Sequence, residues 1–472
     1  MKVIIHKILP ALFGMLLMTG CKKSFLEREP YGGLPTADAL KTVDDMETAL
    51  NGVYADMRGS GLFGRAIPLI GDLLSDNVYL SPTNSNRYTS VYLANYTVNN
   101  TDVQGIWNGS YNTILDANNI INSSLTGTEK ADEFRGEALA VRALMYFELV
   151  KHFAKPYTVD PGSMGVPLIL TYDAFKKPTR NTVAEVYTQI EKDLKDAMPL
   201  MTLPRSSGYF SAAAAEALLA RMYTFKADWP NALAAAEDVI DNSGYSLVTL
   251  NRVAGYWASN TPRNDGIETL FEIVNDLVGN AANDALASFY DQAAYGDALC
   301  SQSLYNMYSN TDVRKSLILT FSPRRGNVKV VNKYPNTSQP DKDEVKVIRM
   351  SEVFLIAAEA ASHGGAASEA LAKDYLNAVA TERDPNFAGY LSTGAALLED
   401  ILLERRKELA FEGHRYWDLV RYNRDVVRVN LSNNYAGAPL VIPASSVRRI
   451  FPIPQSELDA NPAIRTQQNP GY

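Results

Sequence analysis

Ser211 stands before an alanine-rich apolar run that continues to Lys226, and Pro230 opens a second run reaching Ile240 before Asn242-Ser243-Gly244. A serine hydroxyl can accept from an orphan N–H of the first helical turn, and proline is tolerated where a helix begins. Two helices joined by so short a turn must lie antiparallel, and alanines let their backbones approach closely. The helical rhythm recurs elsewhere. Val43, Met46, Leu50, Val53, Tyr54 and Met57 keep helical spacing from Thr42, and Trp107, Tyr111, Ile114, Ala117 and Ile121 form one stripe from about Val103. Leu139, Ala143, Tyr146, Leu149 and Val150 fall within a helix over 131–153, stopped between His152 and Pro156. Asn181 or Thr182 caps a further helix with Val183, Val186, Ile190, Leu194 and Met198 as its apolar face. Helices are also predicted over 350–362, 367–383 and 394–412.

Other segments break this pattern. Residues 76–101 are rich in tyrosine and asparagine and read as loop. Residues 246–346 are mixed, with short strands expected at 270–274 and 328–331 and loops with short helices between them. The C-terminal stretch is irregular and proline-punctuated. The 220–236 stretch resembles a tetratricopeptide-type pair, without a strict sequence repeat. The expected fold is mostly α: a helical scaffold of stacked tetratricopeptide-like helix pairs with long irregular insertions and a few short strands. An N-terminal half over 38–245 and a C-terminal half over 246–472 are expected to pack as one globular unit. Long irregular segments in a compact domain are commonly functional.

At the N-terminus, Lys2 and Lys7 accompany an apolar segment from Ile8 to Met18. That is shorter than the roughly 20 residues a membrane span requires, and it fits a cleavable secretory signal. Thr19-Gly20-Cys21 resembles the end of a bacterial lipoprotein signal, with Met18 where leucine is usual. Residues 1–20 are then a leader, Cys21 the lipidated N-terminus, and 21–37 an extended tether containing Pro30, Gly32, Gly33 and Pro35. Each buried acyl methylene contributes about 0.8 kcal/mol, so several chains would anchor the protein without spanning the bilayer. The only other cysteine is Cys300, so the fold must stand without disulfides. A formal net charge of −8 argues against nucleic acid and against dependence on anionic lipid.

Several runs carry a family likeness. Phe25-Leu26-Glu27-Arg28-Glu29-Pro30 follows the cysteine; Gly136-Glu137-Ala138, Arg142-Ala143 and Tyr146-Phe147-Glu148-Leu149-Val150 lead to Gly165-Val166-Pro167-Leu168. Arg221-Met222-Tyr223, Trp229 and Ala232 come next, then Arg349-Met350-Ser351-Glu352-Val353 with Ala357-Ala358-Glu359-Ala360. The most specific run extends from Glu404-Arg405-Arg406-Lys407-Glu408 to Tyr416-Trp417-Asp418-Leu419-Val420-Arg421, and the end matches at Pro452-Ile453-Pro454, Asn461-Pro462 and Gln468-Asn469-Pro470-Gly471-Tyr472. Together they resemble the RagB/SusD family of outer-membrane nutrient-binding lipoproteins. The resemblance implies a tetratricopeptide-like helical fold with a loop-built ligand surface. It also implies a partner, a SusC-like TonB-dependent outer-membrane barrel to which captured oligosaccharide or peptide is passed, and lipid-anchored display on the outer membrane at the cell surface.

No catalytic constellation emerges. Glu404, Glu408 and Glu412 share a helix face and could be read as glycosidase carboxylates. Structural ion pairing explains them better: Glu404 with Lys407, Arg405 with Glu408, and bidentate arginines from neighbouring helices. Arg415, Asp418, Arg421, Arg142 and Glu137 are read likewise, and Trp417 as core. His152, His363 and His414 are scattered without metal-ligand spacing, and neither a phosphate-binding glycine loop nor a nucleophile elbow occurs. Asp341-Lys342-Asp343-Glu344 lacks the EF-hand pattern and reads as a solvated turn. No cofactor or metal is expected.

Capturing a sugar or peptide requires flat aromatic faces and planar polar groups. Asp76, Asn77, Tyr79, Arg87, Tyr88, Tyr92 and Tyr96 have that composition in the first loop, and Tyr290, Asp291, Gln292 and Tyr295 in a later one. Trp257, just before an expected strand, is assigned to packing. The expected function is non-catalytic glycan capture. Peptide capture, a surface glycoside hydrolase and a purely structural scaffold are the alternatives.

Overall fold

The computed structural model describes residues 40–173, 175–337, 343–429 and 434–472. The leader, Cys21, the tether, and Asp341 and Lys342 lie outside these residues. The first helix, α1 (Val43–Met57), begins at a capping box in which the Thr42 hydroxyl accepts from Asp45 N–H and the Asp45 carboxylate accepts from Thr42 N–H. It is followed by α2 (Ala66–Leu73), strand β1 (Val78–Leu80), the single turn α3 (Thr89–Tyr92), and the long helices α4 (Thr101–Ile121) and α5 (Glu129–Phe153). Nearly every face of α5 is buried, because α4 packs on one side and α6 (Val183–Ala197) on the other. Next come α7 (Ala212–Lys226), capped by Ser211, and α8 (Trp229–Asn242), the antiparallel pair the alanines require.

The mixed region holds α9 (Val253–Ala258), β2 (Thr269–Ile273), α10 (Leu286–Tyr290), β3 (Ala298–Cys300), α11 (Gln302–Tyr305), β4 (Ile318–Leu319), β5 (Val330–Val331) and β6 (Val345–Arg349). Helix α12 (Met350–Ser362) follows, packed on α8, α13 (Glu369–Thr381) and α14 (Gly394–Glu408). The chain closes through α15 (Arg415–Arg421), the pair β7 (Val426–Val427) and β8 (Val441–Ile442), and α16 (Gln455–Ala460). The fold is mostly helical. Its described strands form only two-stranded antiparallel sheets: β1–β3, β2–β6, β4–β5 and β7–β8. The main core cluster runs from Met46 to Ile464, with a smaller one under α12–α14 around Leu355, Leu376 and Ile401.

Two features depart from expectation. Residues 76–101, read as loop, also carry β1, which pairs with β3, and the single turn α3, and much of their tyrosine is buried. Where the 341–344 turn is described, Asp343 and Glu344 are buried rather than solvated, because they feed directly into β6, which pairs with β2. Burial pushes the Glu344 carboxyl up to about 8, against the opposing charge of Lys346.

One close approach ties the first helices to the signature run near the C-terminus. A Cβ on Gly71 would sit 2.0 Å from the Gly413 carbonyl oxygen, and Gly413 has φ +83°. Asp72 cements the contact by accepting from Gly413 N–H at 2.8 Å and from Asn77 Nδ2 at 3.0 Å.

Candidate ligand-binding surface

Pairing of Tyr79 with Leu299 and Leu80 with Ala298 brings the loop after β1 beside the loop before β3. The turn of the β4–β5 hairpin joins them, so residues 81–88, 291–297 and 322–326 form one surface. It is stapled from below. The buried Asp297 carboxylate accepts from Ser85 N–H at 3.1 Å and from its hydroxyl at 2.5 Å. Arg325 donates to Ser81 Oγ at 3.0 Å, Gln292 Oε1 at 2.6 Å and the Thr83 carbonyl at 2.7 Å. Arg324 donates to the carbonyls of Ala294 at 3.2 Å and Tyr295 at 3.0 Å. Gly296 is favoured here by its φ of +54° and because a Cβ would meet the Asp291 carbonyl oxygen at 2.9 Å.

Of the residues named from sequence, Arg87 and Tyr295 are brought together on this surface. The Arg87 guanidinium is exposed and lies 4.1 Å from the Tyr295 ring centre. Tyr295 is half-buried, its ring tilted against Phe289 at 5.2 Å.

Asp291 and Gln292 lie half-buried on the same loop, and the others sit deeper. Asp76 forms ion pairs with Arg415 at 2.8 Å and Arg406 at 3.2 Å; burial raises its carboxyl, but these charges outweigh it and hold it low. Asn77 is fully buried between Asp72 and Arg406. Burial pushes the Tyr79 and Tyr88 hydroxyls up to about 12, and Tyr88 accepts from Arg65 Nε at 2.9 Å. Tyr92 donates to Asn434 Oδ1, and Tyr96 to the Arg448 carbonyl. Tyr290 stacks on Tyr334 with its hydroxyl enclosed and unpaired. Tyr88, Tyr92, Tyr96 and Tyr290 are at most 3 % exposed, so they shape the loops from within.

Arg324, Arg325 and Asp297 were not picked out from sequence. The adjacent arginines between Pro323 and Gly326 mark a basic turn, the one local signal available.

The signature run is occupied by ion pairs. Glu404 pairs with Arg314 at 2.6 Å and with Lys407 at 2.9 Å; Glu412 pairs with Lys333 and Arg349. Arg405 pairs with Asp418 at 3.3 Å and not with Glu408, which faces Arg314, Arg349 and Arg383 instead. Arg421 grips Glu359, Arg142 grips Asp193 at 2.6 Å, and Tyr54 donates to Glu137. Trp417 and Trp257 are core, the latter beneath Lys333 at 4.1 Å.

This fold and sequence have relatives. A family model described as starch-binding associating with outer membrane matches residues 24–224, and one for the SusD family matches 301–472. SusD-like protein P2 of Formosa agariphila is 28% identical over 97% of this chain and 98% of its own length. A SusD superfamily protein from Bacteroides thetaiotaomicron superposes with TM-score 0.83 at 30% identity, covering 91% of this chain and all of that one. A proposed sugar-binding protein from Bacteroides vulgatus gives TM-score 0.81 at 30% identity, covering 92% and 99%. The chain belongs to the SusD family. No helix among the described residues is long and apolar enough to cross a membrane.

Proposed function

We propose that this chain captures oligosaccharide or polysaccharide without turning it over. Anchored through Cys21 on the outer membrane at the cell surface, it passes its ligand to a SusC-like TonB-dependent transporter. The observation that carries this reading is the three-loop surface. Its backbone is fixed by Asp297 and Arg325, while Arg87, Tyr295 and Gln292 remain reachable from solvent. Fixed polar groups beside an aromatic ring suit sugar hydroxyls, because little side-chain freedom is lost on binding. The starch-binding description of the matching family model supports a carbohydrate over other ligands. Binding without turnover is supported by the burial of Glu404, Glu408 and Glu412, each held by arginine or lysine.

Calorimetry of the chain from residue 22 onward against panels of glycans and peptides tests this reading. Binding to one glycan class, weakened about tenfold or more in the Arg87→Ala/Tyr295→Ala double variant and without release of reducing ends, is expected. Binding confined to peptides, or glycan cleavage, would overturn it. Co-purification from outer membranes with a TonB-dependent barrel tests the partner, and Cys21→Ser, expected to free the chain from the membrane, tests the anchor.

A further inference from the structure

The three-loop surface is basic on a chain whose net charge is −8. Arg87, Arg324 and Arg325 all stand within reach of Tyr295 or its loop, through the ring contact at 4.1 Å, the Tyr295 carbonyl at 3.0 Å and Gln292 at 2.6 Å. None of the three forms an ion pair among the described residues. The contrast with their surroundings is sharp. Arg58 and Arg65, nearby in sequence, are paired with Asp276 and Asp284, and the arginines of the signature run are paired throughout.

Two acids share these loops with the three arginines, and neither reaches one of them as an ion pair: Asp297 is buried and accepts from Ser85, and Asp291 accepts from Ala293 N–H, so the loops keep an excess of positive charge. Arg325 is lowered from its ordinary value, first by burial and then by the adjacent Arg324 charge, which together outweigh the Asp297 charge, and an arriving anion would oppose both. Geometry favours anions that present two or more terminal oxygens. The Tyr295 ring, 4.1 Å away, steadies the Arg87 guanidinium, whose N–H groups can fork onto two oxygens of one group. Arg324 is likewise exposed, with Nη1 alone committed to the loop carbonyls.

We infer that this surface selects an anionic glycan, one whose repeating units carry carboxylate or sulfate groups that Arg87, Arg324 and Arg325 meet in turn. The inference rests on the glycan-capture reading above and narrows it. Carboxylate and sulfate share the planar or trigonal array of oxygens that a guanidinium recognises, so the chemistry is common to both.

The test is calorimetry of the chain from residue 22 onward against two sets of polysaccharides. The acidic set is alginate, polygalacturonate and a sulfated galactan; the neutral set is starch, xylan, methyl-esterified pectin and desulfated galactan. Binding is expected within the acidic set, and should weaken about tenfold or more between about 50 and 500 mM NaCl as charge is screened. Arg87→Ala and Arg324→Ala should each cost about tenfold, and Arg87→Lys most of that, because an ammonium cannot fork. Arg252→Ala, which removes an exposed arginine elsewhere, should change nothing. Retained thermal midpoints would show that the variants fold.

Salt-insensitive binding of a neutral glycan, unchanged in Arg87→Ala and Arg324→Ala, overturns this inference and leaves glycan capture standing. An equal loss in Arg252→Ala reduces the effect to general charge attraction and also overturns it. Silence toward both sets removes glycan capture and this inference together. If the same two arginine variants then loosened the complex with the barrel, the arginines would belong to the transporter interface.

Discussion

Three guanidiniums converge on the Glu408 carboxylate: Arg314 at 3.0 Å, Arg349 at 3.1 Å and Arg383 at 3.0 Å, all of them buried. Removing the acceptor leaves uncompensated charge in a site with little water, which costs about 3–5 kcal/mol. Glu408→Gln should therefore destabilise nearly as much as Glu408→Ala, since charge rather than volume is lost. Urea unfolding followed by circular dichroism measures it. A loss under about 1 kcal/mol would mean that Glu404, Glu412 and Glu268 re-pair the arginines. That the run holds structural ion pairs was legible from its alternating charges. The local pair Glu404–Lys407 was legible too, whereas which distant arginines complete the network was not, because Arg314, Arg349 and Arg383 arrive from other elements. The tyrosines were harder to place for a related reason. A side chain with an apolar body and a polar tip suits a sugar, but it equally suits a core whose loop carbonyls need donors, as Tyr96 supplies to Arg448 and Tyr146 receives from and returns to Ile169. Composition cannot separate these uses; Arg87 and Tyr295 emerge only once the packing is known.

Helices were the readable elements because their periodicity and their caps are both local. Thr182 illustrates the second signal: its hydroxyl accepts from Glu185 N–H at 3.2 Å, and the Glu185 carboxylate accepts from Thr182 N–H at 2.7 Å. Thr182→Ala should cost about 1 kcal/mol and Thr182→Gly only a few tenths, read as shifts in the urea midpoint. An unchanged midpoint for Thr182→Ala would show that the neighbouring 161–166 backbone, which accepts from and bridges to this turn, holds the helix start by itself. Elements stabilised by distant partners left no comparable trace. Strands β1 and β3 have three residues each and exist because they pair across more than two hundred positions. Helix α2 is buried on every side, so it lacks the polar face that would reveal its period. The candidate surface depends on those short strands, which is why its loops could be suspected from sequence but not assembled.

Across the whole molecule, buried charge should give stability an asymmetric dependence on pH. Burial raises the Glu352 and Glu404 carboxyls, but Arg221 and His414 for the first, and Arg314 and Lys407 for the second, outweigh it and bring both down to about 2. Glu408, Glu412 and Asp418 are lowered too, again by arginine charges that outweigh burial. A carboxyl whose folded pKa lies below its unfolded value of 4.5 stabilises fully above that pH and loses this contribution as pH falls towards 2. His152 and His414 act in the same direction. Burial lowers each from 6.5 to about 4, so the unfolded chain takes up protons first and stability falls as pH drops through that interval. Glu137 acts oppositely. Burial lifts it to about 8 despite Arg205 and Tyr54, so the folded chain retains a proton that the unfolded chain releases, and stability falls as pH rises from 4.5 to 8. Glu344, also lifted to about 8 by burial, adds to that decline. Asp72 and Asp343, lifted by burial to about 6, and Glu216, lifted to about 7, add to the same decline, so the two histidines offset only part of it between 4.5 and 6.5. The thermal midpoint should therefore be highest near 4.5, fall steeply below it and decline gently up to about 8. Glu137→Gln, which stays neutral at every pH, should flatten the upper decline and leave the acid limb intact. A midpoint that held steady down to pH 2 would contradict the ion-pair network as the source of acid sensitivity. An upper limb unaltered by Glu137→Gln would shift that role to the other raised carboxyls.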